Sequence, residues 1–227
     1  MAEMTYYPVC LDIRNRPCLV VGGGAVALRK AEGLLAAGAN VTVVSPEFVD
    51  GFSRIPPEAP LYRIQRPYAD TDLNEKFLVI GATDNSALNR QISRDANSRN
   101  MLCNIADVPE ACNFVLPAVV RRGDLLLAIS TSGKSPAFAR HLRKQLENQF
   151  GVEYTEFLRL MGAIRQKLLA AEHAPEAHKP LFEQLIDGGL LEMISAGRIA
   201  DIDELLSAVL GPGYDYRSLM ASAEEEN

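Results

Sequence analysis

The chain has 227 residues, 48% of them hydrophobic, enough for one large or two modest domains with real cores. Its formal net charge of −6 excludes general binding to nucleic acid or to a membrane surface, both of which need a basic face. No apolar run reaches membrane-spanning length, and the opening MAEMTYYPVC has neither the basic nor the apolar region of a signal peptide, so a soluble cytoplasmic protein is expected.

Cys10, Cys18, Cys103 and Cys112 show no CxxC spacing and fall in or beside predicted strands, which suits free thiols in a reducing compartment. His141, His173 and His178 form no metal motif, so no resident metal is expected.

Tyr7 to Ile13 reads as a short extended segment, closed by a turn at Arg14, Asn15 and Arg16. Cys18 to Val21 has the pattern of a buried strand and stops at Gly22, Gly23 and Gly24. From Ala25 the period becomes helical, with Val26, Leu28, Ala31, Leu34 and Leu35 on one stripe and Gly38 as the stop, and Val41 to Val44 follows as a second strand. This is a βαβ unit of a Rossmann-type parallel α/β sheet, and Gly22-x-Gly24-x-x-Ala27 matches the alanine-ended dinucleotide fingerprint. Gly22 serves the tight turn, Gly24 the approach of a pyrophosphate, and Ala27 the packing of helix on strand. The helix N-terminus favours the phosphate charge. Where the fingerprint expects a ribose-binding acid there is Ser45, with Glu47 two positions later. After Ser45 no arginine follows until Arg54, so none nearby clamps a 2′-phosphate, which favours NAD over NADP.

Phe48 to Pro60 reads as loop and short helix, Leu61 to Ile64 as a third strand, Asp70 to Leu73 as a helix cap and Phe77 to Ile80 as a fourth strand. In the following Gly81-Ala82-Thr83-Asp84-Asn85, Ala82 and Thr83 can face a cofactor while Asp84 or Asn85 caps a helix over Ser86 to Asn97. Met101 to Ile105 is the fifth strand, and Asp107 beyond it is either a general base or a turn residue. Phe114 to Val120 and Leu125 to Ile129 flank a hairpin turn at Arg121-Arg122-Gly123-Asp124, which puts a domain boundary near Asn113. Ser135 and Pro136 start a helix whose Arg140, His141, Arg143 and Lys144, beside the hydroxyls before it and Lys134, form either a solvated face or an anion-binding surface. Beyond Val152 the pattern is helical over Tyr154 to Glu172, Pro180 to Leu191 and Ile202 to Leu210. Pro175 and Pro180 break the series, Gly188-Gly189 and Gly211-Pro212-Gly213 stop it, and a disordered acidic tail ends the chain.

The segments CLVVGGGAVALRKAEGLLAAGANVTVVSP, GATDN, CNIAD and AISTSGKSPAFARHLRKQLE, in this order and at these separations, resemble the precorrin-2 dehydrogenase family of siroheme biosynthesis. That family includes the amino-terminal part of multifunctional siroheme synthase. The likeness runs from Pro8 to Phe150 and is weaker over the helical remainder. The resemblance implies NAD-dependent oxidation of precorrin-2 to sirohydrochlorin, with sirohydrochlorin ferrochelatase (lyase) activity through transient Fe²⁺ in some members. It implies a homodimer with an NAD-binding Rossmann-like domain over residues 1–113, a dimerisation segment over 114–150 and a helical domain over 151–227.

The family's essential aspartate carries over to Asp107, and its NAD contacts to Ala25, Val26, Pro46 and Glu47. With Gly22, Gly23, Gly24, Ser45, Ala82, Thr83 and Asn104 these make the expected cofactor site. A regulatory serine of some members falls on Thr131 here. For a carboxylate-fringed tetrapyrrole the expected contacts are Ser130, Thr131, Ser132, Lys134, Ser135, Arg140, Arg143 and Lys144. The competing expectation is a non-catalytic NAD(H)-sensing dimer, which would bind the dinucleotide without the tetrapyrrole.

Overall fold

The structure, a computed structural model, describes residues 6–106, 108–170 and 175–225. Five short apolar runs pair in parallel: β1 (Pro17–Val21), β2 (Asn40–Val44), β3 (Leu61–Ile64), β4 (Leu78–Gly81) and β5 (Leu102–Ile105), in the order β3-β2-β1-β4-β5. Alternation along β1 sends Cys18 and Val20 to one face and Leu19 and Val21 to the other, and all four are buried because helices cover both faces. Helix α1 (Ala25–Leu35) packs Ala27, Ala31 and Leu34 on the first face, and α2 (Ser86–Asn97) packs Ile92 and Ala96 on the second. Each large aliphatic side chain removed from water in this way contributes about 2 kcal/mol.

The chain divides into two compact units, Met1–Leu116 and Pro117–Asn227. The second begins with an antiparallel hairpin, β6 (Ala118–Arg122) and β7 (Leu125–Ile129), followed by α3 (Pro136–Gln149). Its helical part comprises α4 (Glu153–Ala170), α5 (Pro175–Asp187), α6 (Leu190–Ser195), α7 (Ile199–Leu210) and α8 (Tyr216–Glu225). Leu160, Ile164, Leu185, Leu190, Ile202 and Leu206 form its core. Among the described residues no helix is long and apolar enough to cross a membrane.

Four features differ from the sequence expectation. The hairpin turn is the two-residue Gly123-Asp124, because Arg121 and Arg122 pair with Leu126 and Leu125 and so belong to β6, which starts at Ala118 rather than Phe114. Gly123 supplies the positive φ of +55° that so short a turn requires. Pro180 lies inside α5: near the helix start it removes a single ladder bond, and burial of Leu185 farther on holds the helix. Gly188-Gly189 ends α5, but Leu190 and Ile194 pack into the core and so build the separate α6. The chain is helical as far as Glu225, since Leu219, only 3% exposed, draws α8 into the core, while residues 226–227 lie outside the described residues.

Burial pushes the Cys18 and Cys103 thiols, in the middle of the sheet, up to about 11 and about 12. Beside β3, both carboxylate oxygens of Asp72 accept from Arg66, at 2.8 and 2.5 Å, and one also accepts from the Ala69 N–H. The Arg66 guanidinium therefore holds the Asp72 carboxyl below the usual carboxylate range. A depressed folded value gives stability that is present above the unfolded pKa of about 4 and is lost as pH falls through the folded value. Arg66→Ala should lower stability by about 1 kcal/mol at pH 7 and leave less to lose on acidification. Urea titrations of both proteins at pH 7 and at pH 3 check this, the gap being expected to narrow at the lower pH.

Candidate functional site

In a sheet of order 3-2-1-4-5 the chain turns one way from β1 and the other way from β4. The crevice between their carboxyl ends is where a ligand lies. The Gly22 N–H donates to the Val44 carbonyl at 2.9 Å and the Ala82 N–H to the Val21 carbonyl at 2.8 Å, which brings the ends of β1, β2 and β4 together. Gly22, at φ +124°, lies so close to β4 that a Cβ on it would overlap the Ala82 carbonyl oxygen. A Cβ on Gly23 would overlap the Glu47 carbonyl oxygen and come within 2.8 Å of Ser45 Oγ. The Val49 N–H donates to the Gly23 carbonyl at 2.9 Å and holds the Ser45–Glu47 loop in place.

Gly24 differs from both: a Cβ there would meet nothing within 4 Å. It opens α1, whose start no side chain caps, and Ala25 and Val26 after it are exposed. The first two glycines thus serve the protein's own backbone, and the third leaves an open cradle against the N–H groups and positive end of a helix. That arrangement fits a diphosphate.

Of the expected cofactor residues, Gly22, Gly23, Gly24, Ala25, Val26, Ser45, Pro46, Glu47, Ala82 and Thr83 all gather at these strand ends. Ser45 is buried, whereas Pro46 and Glu47 are exposed. The Thr83 hydroxyl is turned inward, donating to Asn89 Oδ1 at 2.8 Å. Asn85 caps α2, its Oδ1 accepting from the Ala87 and Leu88 N–H groups at 3.0 Å each. Asn104 is buried on β5 and its amide donates to the Phe114 carbonyl at 3.0 Å and to Cys112 Sγ at 3.6 Å, so its donors serve the segment that follows β5.

Asp107 lies outside the described residues. The chain around it is held by Cys112, whose Sγ accepts from the Ile105 N–H at 3.1 Å and lies within 3.2 Å of the Val108 carbonyl oxygen, and by Asn113, which pairs with Cys103 and Met101 along the free edge of β5. Sequence reading missed Asn89, Cys112 and Asn113. Polar residues in a helix or beside a strand carry no motif, and only tertiary contacts reveal them.

In the second unit, Ser130 and Thr131 accept through their hydroxyls from the Ser132 and Ser135 N–H groups, at 3.2 Å each, and Ser135 caps α3 by accepting from the Phe138 N–H. The turn is tight, with Ser132 and Gly133 both at positive φ. Arg140 and Lys144 are exposed one helical turn apart, and Lys134 and Ser132 are exposed in the turn. Arg143 is paired with Glu147, so its charge is partly offset. Among the described residues no three His, Cys, Asp or Glu side chains cluster as metal ligands. An open cleft of about 770 Å³, lined by Thr42, Tyr62, Asn74 and Lys76, lies away from the glycine turn, over β2 and β3.

A glycine cradle at the switch point of a doubly wound sheet defines a dinucleotide-binding protein. Residues 9–118 match the family described as "Putative NAD(P)-binding", and residues 122–149 the one described as "Sirohaem biosynthesis protein central". The chain is similar to the amino-terminal part of siroheme synthases and to a solved precorrin-2 dehydrogenase. It is 36% identical over 214 residues to the siroheme synthase of Thioalkalivibrio sulfidiphilus, and 33% identical over 207 residues to that of Vesicomyosocius okutanii. Those alignments cover 94% and 91% of this chain but 44% of each relative, so the chain spans less than half of their length. Among solved structures, "SirC, precorrin-2 dehydrogenase" is similar with a TM-score of 0.70 and 26% identity, over 97% of this chain and 100% of that one.

The contrast among the glycines is testable. Gly24→Asp places a good helix cap where there is room for it, so the fold should be as stable as the parent. Its charge would face the diphosphate, and NAD⁺ binding should weaken more than about 100-fold. Gly22→Ala should instead lower the thermal midpoint sharply. Calorimetric titration with NAD⁺ and thermal unfolding of both variants separate the two effects.

Proposed function

We propose that this chain is an NAD-dependent precorrin-2 dehydrogenase, oxidising precorrin-2 to sirohydrochlorin in siroheme biosynthesis. The observation that carries the reading is the cradle at Gly24 beside the β1–β4 crevice, in a chain of which 97% is similar to a precorrin-2 dehydrogenase. The N–H groups of Ala25 and Val26 would hold the diphosphate, and the Ser45–Glu47 loop the adenosine ribose. Bound NAD⁺ supplies the acceptor for the electron pair, taken from substrate carbon as a hydride.

The protein's own contribution is to place the substrate and take up the accompanying proton. In this reading Asp107 is the proton acceptor, and Asn104 lies beside the nicotinamide end of the site. The propionate and acetate groups of the tetrapyrrole would be met by Arg140, Lys144 and Lys134, with Arg143 adding charge beside Glu147, and by the hydroxyl-rich turn of Ser130, Thr131, Ser132 and Ser135. Oxidation removes one hydride and one proton from precorrin-2, so the carboxylate and NAD⁺ together balance the reaction.

The functional division we propose is an NAD domain over residues 1–113, a dimerisation segment over 114–150 and a helical domain over 151–227. Self-association through the middle segment is supported by the hairpin's outer face, where Val119 is 37% and Leu126 36% exposed, and by Phe138 at 55%. Free cysteines suit the cytoplasm. Ferrochelation is a further step of the same reading: the Asp107 carboxylate would accept pyrrole protons or hold Fe²⁺ briefly as it enters the macrocycle.

Purified protein, NAD⁺ and anaerobic precorrin-2 should give NADH and the sirohydrochlorin spectrum in equal amounts, and absence of both sinks the proposal. Asp107→Ala should lower kcat by roughly 100-fold or more while leaving NAD⁺ affinity within about twofold; retained turnover removes Asp107 from the mechanism. A protein that binds NADH but not sirohydrochlorin would be the sensor instead. Cobalt or iron insertion into sirohydrochlorin without NAD⁺ tests the chelatase step separately.

A further inference from the structure

None of the chemistry above uses Asn89. It lies in the first turns of α2, only 6% exposed, in a helix whose other buried side chains are Ile92, Ser93 and Ala96. Burying a primary amide is unfavourable unless its groups are paired. Here both ends of the amide are spent on a single residue: Oδ1 accepts from the Thr83 hydroxyl at 2.8 Å, and Nδ2 donates to the Thr83 carbonyl at 2.9 Å. The Thr83 hydroxyl also accepts from the Asn85 N–H at 3.2 Å, so one network ties the turn after β4 to the start of α2.

Thr83 follows Ala82, whose carbonyl oxygen lies against Gly22, and the Ala82 N–H is bonded to Val21. The Ala82–Thr83 peptide is therefore one lip of the crevice at the switch point, and the glycine turn is the other. The β1–β4 ladder fixes this lip up to Ala82. Beyond that residue Asn89 holds it. No aspartate could do the same, because a carboxylate would face the Thr83 carbonyl, and a glutamine is a methylene too long.

We propose that Asn89 is a positioning residue for the dinucleotide: by clamping Thr83 through both ends of its amide, it sets the width of the β1–β4 crevice and hence the affinity for NAD. The inference rests on the reading of this crevice as the NAD site. Asn89 touches no cofactor atom in this account and acts through Thr83.

The test uses the full chain. NAD⁺ is titrated calorimetrically into the parent, Asn89→Ala, Thr83→Val, Thr83→Ser and the Asn89→Ala/Thr83→Val double variant, and thermal midpoints are read with and without NAD⁺. Asn89→Ala and Thr83→Val should each weaken NAD⁺ roughly 10-fold, in keeping with the sensitivity of sites to small misplacements. The loss should appear in KM for NAD⁺ more than in kcat, and the midpoint gained on adding NAD⁺ should shrink. Thr83→Ser keeps the hydroxyl and should recover most of the affinity. The double variant should be no weaker than the worse single one, since both remove the same contact.

A variant at Asn89 with parental NAD⁺ affinity, or one whose only change is a lower midpoint, overturns the proposal. If Asn89→Ala does not fold, the contrast between Thr83→Val and Thr83→Ser decides, and equal affinity of those two overturns it. A parent protein that takes up no NAD⁺ defeats the cofactor reading, and the inference with it. An Asn89 variant that matches the parent defeats only the inference.

Discussion

The site depends on a contact between main chains. Two successive glycines at the end of β1 let the backbone lie against the Ala82 and Glu47 carbonyls, where any side chain would collide. The three strand ends can then close on one another, and the first turn of α1 is left facing open space. The helix dipole and unbonded N–H groups would be of no use to an anion if that turn were plugged. The glycines therefore act as much through what they permit within the protein as through what they admit from outside.

Most of this was legible in the sequence because it is local. A buried strand, three glycines and an amphipathic helix within a short stretch leave few alternatives, and Asn85 and Ser135 as helix caps follow from the same short-range logic. All five parallel strands were placed within a residue or two, since each is an apolar run between turn residues. The expected roles of the glycines were only partly right. Gly24 offers the open space foreseen for it, but the need for glycine at Gly23 comes from Glu47, far along the chain, and no local pattern carries that information.

The same limit explains the misses in the second unit. Pro180 read as a breaker, and Glu224 and Glu225 as tail, because propensity was all there was to go on. Tertiary packing of Leu185 and Leu219 outweighs it. The hairpin turn was set too wide because Arg121 and Arg122 are polar, although β6 carries Arg121 on its exposed face while Arg122, on the other, donates to the Glu147 carbonyl. The roles of Asn89 and Cys112 were invisible for a different reason: their partners are chiefly main-chain atoms and, for Asn89, also the Thr83 hydroxyl, whose positions a sequence does not state.

The sheet keeps two thiols of its own out of reach of the solvent. Cys18 and Cys103 stand in the interior where burial keeps them protonated far above neutral pH. A thiol that does not ionise is a poor ligand for a soft or borderline cation. Neither thiol is therefore open to a cation or an oxidant in solution while the sheet stays folded.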